Sequence, residues 1–363
     1  MAGGGSNAQI VVADRGRDLS STADRLAAWL GRKIEGAGAV EVQDLAYPVG
    51  AGTSNETILF QARWEKQGRV LTRSLVVRLH PGDYQIFLDP AFDRQFQLLD
   101  LVGRRGWVRV PKMLWRESDP TILGRAFFVM ERVAGRVPVS FPVYNASGWL
   151  AEAAPCDRER AWLSAMAQLA AIHRIPADEV RFVHRTQFGA TGFEDEFQYW
   201  MRMLEWVAPG PTPPIYAAAR RWLIDNRPAA PPEGLSWGDA RIGNMIFDND
   251  FQVAAVIDWE QVSLAGGLQD LGWWLLFDDL HSLGKDVPRL EGLGTRQQTI
   301  DLWQELTGQR ATDLRWYEAF AAFKLAVLSI RTAWLKGEPS VGKAFLACWL
   351  GDCLDPADLA DVG

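Results

Sequence analysis

The chain has 363 residues, 48% of them hydrophobic and 23% charged, with a net charge of −7 at pH 7. That length predicts two or three domain-sized units or one bilobal body, and the apolar fraction excludes a disordered chain. The acidic balance argues against a general binder of nucleic acid or membrane surface, which needs basic patches, and no apolar run reaches the roughly 18 residues of a bilayer span.

Residues 1–10 are rich in Gly, Ser and Asn and lack the basic and apolar regions of a secretory leader, so a cytoplasmic protein with a flexible 1–18 segment is expected. Ser20-Ser21-Thr22 leading into Leu26, Trp29 and Leu30 predicts a helix stopped by Gly31. Ile58, Phe60, Ala62 and Trp64 alternate along 55–64 and predict a strand. After Gly68 the β-rich run 70–79 completes an antiparallel hairpin. Phe92, Phe96, Leu99 and Val102 stand at helical spacings, so 90–102 reads as a helix, whereas 107–115 and 126–133 read as short strands.

Gly135, Pro138, Pro142 and Gly148 then mark a connector between an N-terminal lobe, 1–133, and a C-terminal lobe, 134–363. Beyond it, helices are predicted over 157–174, 194–207, 216–226, 268–280, 296–307 and 313–336. Embedded among them is a hairpin: strand 245–247, the turn Asp248-Asn249-Asp250 and strand 253–257. The expected fold is α+β, a small antiparallel-sheet lobe followed by a larger, mainly helical one.

Several chemistries lack their motifs. There is no HExxH, and His80, His173, His184 and His281 are scattered, so a zinc site has no support. Cys156, Cys348 and Cys353 have no paired spacing and fit a reducing compartment. No GxSxG elbow and no Gx4GK[ST] loop is present. Gly50-Ala51-Gly52 opens like a dinucleotide fingerprint but lacks the third glycine and leads into a strand.

What remains is Trp237-Gly238-Asp239-Ala240-Arg241-Ile242-Gly243-Asn244, followed by Ile257-Asp258-Trp259-Glu260. An Asp and an Asn five residues apart on a loop, with a second Asp returned by a hairpin, form a set of hard oxygen ligands and a base. Mg²⁺-dependent phosphoryl transfer needs that set. Taken singly, Asp and Asn also cap turns around hairpins, so it is the combination that carries the signal.

This block resembles the aminoglycoside phosphotransferase and choline kinase-like branch of the protein-kinase-like fold, with its H-G-D-x4-N and I-D-[WF]-E signature. Gly267-Leu268-Gln269-Asp270-Leu271 is similar to the family's G-D-P-x-x-D-L stretch. Weaker likenesses follow in order: 50–57 to the phosphate-covering turn, 75–79 to the third strand, 93–101 to the C-helix and 129–133 to the hinge. The resemblance spans about residues 40–335 and implies a bilobal kinase-like fold, ATP and Mg²⁺ as cofactors, and a small-molecule hydroxyl as acceptor. It implies that Asp239 takes the acceptor's proton, that Arg241 faces the γ-phosphate, and that Asn244 and Asp258 hold the metal. It also implies nucleotide contacts from Gly52, Ser54, Asn55, Arg78, Glu131 and Val133.

Three positions depart from the family pattern. Trp237 replaces the histidine before Gly-Asp, Gln95 falls where the C-helix glutamate pairs the strand cation, and Arg241 stands where protein kinases commonly carry a lysine. Arg78 sits where the family usually has the strand lysine or, in some branches, an arginine. Arginine keeps the charge and adds a bidentate fork. A catalytically silent pseudokinase is therefore one alternative, and a kinase for a choline-like, sugar or lipid-head-group substrate another. The acidic clusters Glu194-Asp195-Glu196 and Asp278-Asp279 read as solvated faces or as an attractor for a cationic substrate. Trp162, Trp222, Trp273, Trp274, Trp303 and Trp334 read as core, His173 as a satisfied core histidine, and Asp270 as an N-cap or loop anchor.

Overall fold

The computed structural model describes residues 16–48, 55–82 and 85–359. In chain order the elements begin α1 (Leu19–Lys33), β1 (Val40–Ala46), β2 (Thr57–Lys66), β3 (Arg69–Leu79), α2 (Phe92–Arg105), β4 (Met113–Glu117), the one-turn α3 (Pro120–Leu123) and β5 (Phe127–Glu131). They continue α4 (Trp149–Glu152), α5 (Pro155–His173), α6 (Gly192–Val207), α7 (Pro214–Asp225), β6 (Met245–Phe247), β7 (Val253–Val256), α8 (Gly267–His281), α9 (Arg296–Thr307), α10 (Leu314–Lys336) and α11 (Gly342–Leu350). Two compact units result, residues 1–90 with 113–132, and residues 91–112 with 133–363.

The first unit is a five-stranded antiparallel sheet in the order β1-β2-β3-β5-β4. Ile58, Phe60, Ala62 and Trp64 project from one face of β2, as the alternation predicts, and meet Leu75, Val77 and Leu79 of β3. Helix α1 lays Leu26, Trp29 and Leu30 on the same face. Each such side chain, once buried, stabilises the fold by roughly 1.5–3 kcal/mol. Asp18 caps α1 by accepting from the backbone of Ser20 and Ser21. Gly31 does not stop the helix, which runs two residues further to Lys33 because Leu26, Trp29 and Leu30 already anchor its buried stripe.

Residues 1–15 of the segment expected to be flexible lie outside the described residues. Arg17, at its end, is held: Nε and Nη2 donate to the two carboxylate oxygens of Glu56, at 2.7 and 3.0 Å, and Nη1 to the Leu123 carbonyl. Strand β1 is not foreshadowed by the sequence, because it lies at the sheet edge and leaves most of its side chains half-buried or exposed.

The second unit is helical around α8, whose residues Gly267–Leu276 are buried on every side. Helices α9 and α10 pack on α8, and α5 packs on α9. Residues 91–112, expected in the N-terminal lobe, group with this unit. The predicted strand 107–115 begins only at Met113. The stretch before it is tied to β7 instead: Arg109 accepts from the Val256 amide, and its guanidinium donates to the Val253 carbonyl. The β6–β7 hairpin sits inside this helical body, and Phe247 also pairs with Arg136.

Candidate active site

The site residues of the second unit gather around the loop between Leu235 and the β6–β7 hairpin. Gly238 opens it at φ +94°, and a Cβ there would lie 2.2 Å from the Gln261 carbonyl oxygen, so only glycine lets the loop pass. Asp239 follows, with Oδ1 accepting from Trp273 Nε1 at 2.8 Å and from Arg241 Nε at 3.1 Å. Arg241 also donates through Nη1 to Ser140. Asn244 turns its Nδ2 back onto the Asp239 carbonyl at 3.1 Å, which commits the amide nitrogen and orients the side chain, whose Oδ1 is its acceptor atom.

The hairpin then brings the second aspartate round. Met245 pairs with Val256, and Ile257 donates to the Asn244 carbonyl, so Asp258 begins where that ladder ends. Its φ of +62° is a left-handed conformation that a short polar side chain tolerates. The departure at Trp237 now has an account. Its buried indole N–H donates to the carbonyls of Ile257 and Asp258, at 3.0 and 3.2 Å, so the ring ties the loop to the end of β7.

Asp270 acts as a loop anchor and not as an N-cap; the cap of α8 is Gly266. The Asp270 carboxylate is fully buried and accepts from the Trp237 amide at 2.6 Å, the Gly238 amide at 2.8 Å and the Ser236 hydroxyl at 3.0 Å. His173 supplies a fourth donor. Trp303 can only donate, and it does so to His173 Nδ1, so the imidazole proton sits on Nε2 and points at Asp270, 2.9 Å away. His173 is thus a core histidine with a task, fixing the carboxylate that fixes the loop.

In the first unit, Gly52 and Ser54 lie outside the described residues. Asn55 is buried just before β2. Arg78 is half-buried in β3, opposite Thr57 and Phe128. Glu131 ends β5 and pairs with Arg73 at 3.6 Å. Val133, half-buried, belongs to the second unit, as does the fully buried Gln95 of α2.

The acidic clusters are not an open attractor for cations. Glu194 pairs with Arg227, Asp195 and Glu196 with Arg185, Asp278 and Asp279 with Arg289. Burial pushes the Asp278 carboxyl up to about 6, against the pull of Arg289 and the hydrogen bond from Tyr144. Folded protein therefore holds this proton more tightly than the unfolded chain does. The residue's contribution to stability falls as pH rises from about 4 to about 6. Asp278→Asn should gain on wild type by about 2–3 kcal/mol across that window, read from urea midpoints at each pH.

Against this geometry stand the comparisons. Residues 47–308 match the model of the phosphotransferase enzyme family. The chain belongs to that family. Among curated proteins, the chain is 26% identical over 315 residues to the "probable acyl-CoA dehydrogenase IBR3" of Arabidopsis thaliana, covering 81% of this chain and 37% of that one. It is 25% identical over 336 residues to the human "acyl-CoA dehydrogenase family member 11", covering 88% and 40%. The chain thus spans about two fifths of the length of these relatives.

Solved structures show the fold. A candidate aminoglycoside phosphotransferase from Ralstonia eutropha JMP134 superposes with TM-score 0.62 at 22% identity, over 93% of this chain and 95% of that one. Macrolide 2'-phosphotransferase MphH from Brachybacterium faecium gives 0.52 at 16%, over 92% and 98%. A thermostable mutant of aminoglycoside phosphotransferase APH(4)-Ia, in ternary complex with AMP-PNP and hygromycin B, gives 0.51 at 16%, over 88% and 97%. The chain therefore has the kinase-like α+β fold expected of it. Among its described residues no helix is long and apolar enough to cross a membrane.

Proposed function

We propose that the chain transfers the γ-phosphoryl group of ATP to a hydroxyl of a small molecule, in the cytoplasm. The observation that carries this reading is the Asp239 loop, where one carboxylate oxygen is held by two donors and Asn244 is folded back on the same residue. In phosphoryl transfer the protein mainly positions groups and supplies charge. Asp239 orients the acceptor hydroxyl and takes its proton. Arg241, beside it, offers positive charge to the group in flight.

Asn244 Oδ1 and the Asp258 carboxylate are hard oxygen donors, which fit Mg²⁺. Bound there, the ion would neutralise charge on the nucleotide phosphates. Phosphate and adenine contacts are assigned to Gly52, Ser54, Asn55, Arg78, Glu131 and Val133. Complexes of a structural neighbour with AMP-PNP support a nucleotide as donor.

Calorimetry tests the metal assignment. ATP affinity should depend on Mg²⁺, and Asp258→Ala should lose both that dependence and all measurable turnover. Equal ATP affinity in excess chelator would overturn it.

A second reading concerns the acceptor. The curated relatives carry the names of acyl-CoA dehydrogenases, which favours a hydroxyl borne on an acyl thioester over a polycationic sugar. The internal pairing of the acidic clusters points the same way. ADP release measured against hydroxyacyl thioesters, amino alcohols and aminoglycosides distinguishes them. Mg·ATP binding with no turnover on any acceptor would favour the silent pseudokinase.

A further inference from the structure

Behind Asp239 lies a lysine that the proposed phosphoryl transfer does not use. Lys324 of α10 is fully buried, and burying an ammonium is unfavourable unless its charge is used. Its Nζ approaches Glu196 Oε1 at 3.3 Å. Glu196 already accepts from Arg185 Nη2 at 2.7 Å and from Trp200 Nε1 at 2.8 Å, so Lys324 makes the longest of its three contacts. Arg185 meanwhile joins Glu196 to Asp195. Two carboxylates thus share one arginine, and Lys324 supplies the second positive charge beside them.

The ammonium faces aromatic rings. It lies 4.8 Å from the ring centroid of Trp273, 5.4 Å from that of Trp200 and 5.6 Å from that of Phe320. The nearest of these rings is the one whose N–H grips Asp239 Oδ1. The approach depends on α8 and α10 packing closely. At Gly272, next to Trp273, a Cβ would lie 2.8 Å from the Tyr317 backbone, so any larger residue would push the two helices apart. Burial draws the Lys324 pKa below its ordinary value, while Glu196, Asp270 and Asp239 pull the other way.

We propose that Trp273 and Lys324 form a positioning pair for Asp239: the ammonium over the indole face strengthens the indole N–H as a donor, and that donor, with Arg241, saturates Oδ1 and turns Oδ2 toward the acceptor hydroxyl. A cation on one side of the ring and a carboxylate at its N–H edge polarise the indole in the same sense. The pair rests on the reading of Asp239 as the base, and deepens it by assigning its two oxygens different work.

The test uses three variants of the full chain. Trp273→Phe keeps an aromatic ring near the ammonium but removes the N–H together with part of the buried indole. It should lower kcat about tenfold and leave the KM for ATP unchanged. Lys324→Met alone strands Glu196, so it is combined with Glu196→Gln, which removes both buried charges together. If Lys324 merely balances Glu196, the double variant restores stability and kcat alike. The positioning role predicts restored stability with kcat still reduced by about 3- to 30-fold.

A readout independent of turnover is the indole ¹⁵N–¹H resonance of Trp273, assigned by its loss in Trp273→Phe. It should move in Asp239→Asn and in the double variant. Full kcat in Trp273→Phe beside an inactive Asp239→Asn would overturn the pair and leave the base in place. Full kcat in Asp239→Asn would overturn the reading beneath it. An indole resonance unmoved by Lys324→Met/Glu196→Gln would remove the lysine from the pair.

Discussion

Asp239→Asn is expected to lower phosphotransfer by about 10²–10⁴-fold, the usual contribution of a general base, while Mg·ATP affinity is retained. The substitution keeps the size of the side chain, and the amide oxygen can still accept from Trp273 and Arg241 at the Oδ1 position. What it removes is the second carboxylate oxygen and its charge, so the loop stays in place and only the proton acceptor is lost. ADP release with and without acceptor, set beside nucleotide calorimetry, gives both numbers. A variant that transfers phosphate at the wild-type rate would show that another group takes the proton.

Asp270→Asn is expected to be the most destabilising single change near the site. Four donors converge on this buried carboxylate, from Trp237, Gly238, Ser236 and His173. An amide presents one oxygen and one NH2, so at least one buried donor would face another donor. Hydrogen bonds to a charged group contribute about 1.5–3 kcal/mol each, so losing one or two of them here should cost about 2–5 kcal/mol. Ser236→Ala, which removes a single hydroxyl from the same acceptor, should cost about 1 kcal/mol. Urea unfolding of the two variants measures the contrast. Because the Trp237–Gly238 peptide lies next to Asp239, kcat should fall in Asp270→Asn even at temperatures where the protein is folded. Equal stability losses for both would mean that the backbone amides find other partners.

Much of the fold is legible because periodicity follows burial. The period-two run at Ile58 to Trp64 is a strand buried on one face, and its pairing partner begins right after Gly68. The limits of α9 and α10 also sit close to their predicted ends, where Thr295 forms a capping box and Gly337 closes α10. Edge strand β1 was not legible, since a strand with few buried residues leaves no alternation to read. The strand expected over 107–115 starts late, because the backbone at Arg109 bonds to β7, far away in sequence.

For the site, composition and spacing placed Asp239, Asn244 and Asp258 in one constellation, since a loop and a short hairpin leave their residues few other places to go. Tertiary structure decided what holds them. Trp273 lies in a stretch of helix buried on every side, so no face distinguished the tryptophan that donates to Asp239 from those that only fill space. Lys324 and His173 are 85 and 66 residues from Asp239 in sequence, and only helix packing makes them its neighbours or its neighbours' supports. The acidic clusters show the converse. Their charge was visible in the sequence, but whether a ligand or an arginine answers it depends on which side chains folding brings within 3–4 Å, and here arginines do. Local spacing thus selects the chemistry, whereas long-range packing settles the orientation of each group and which charges are already paired.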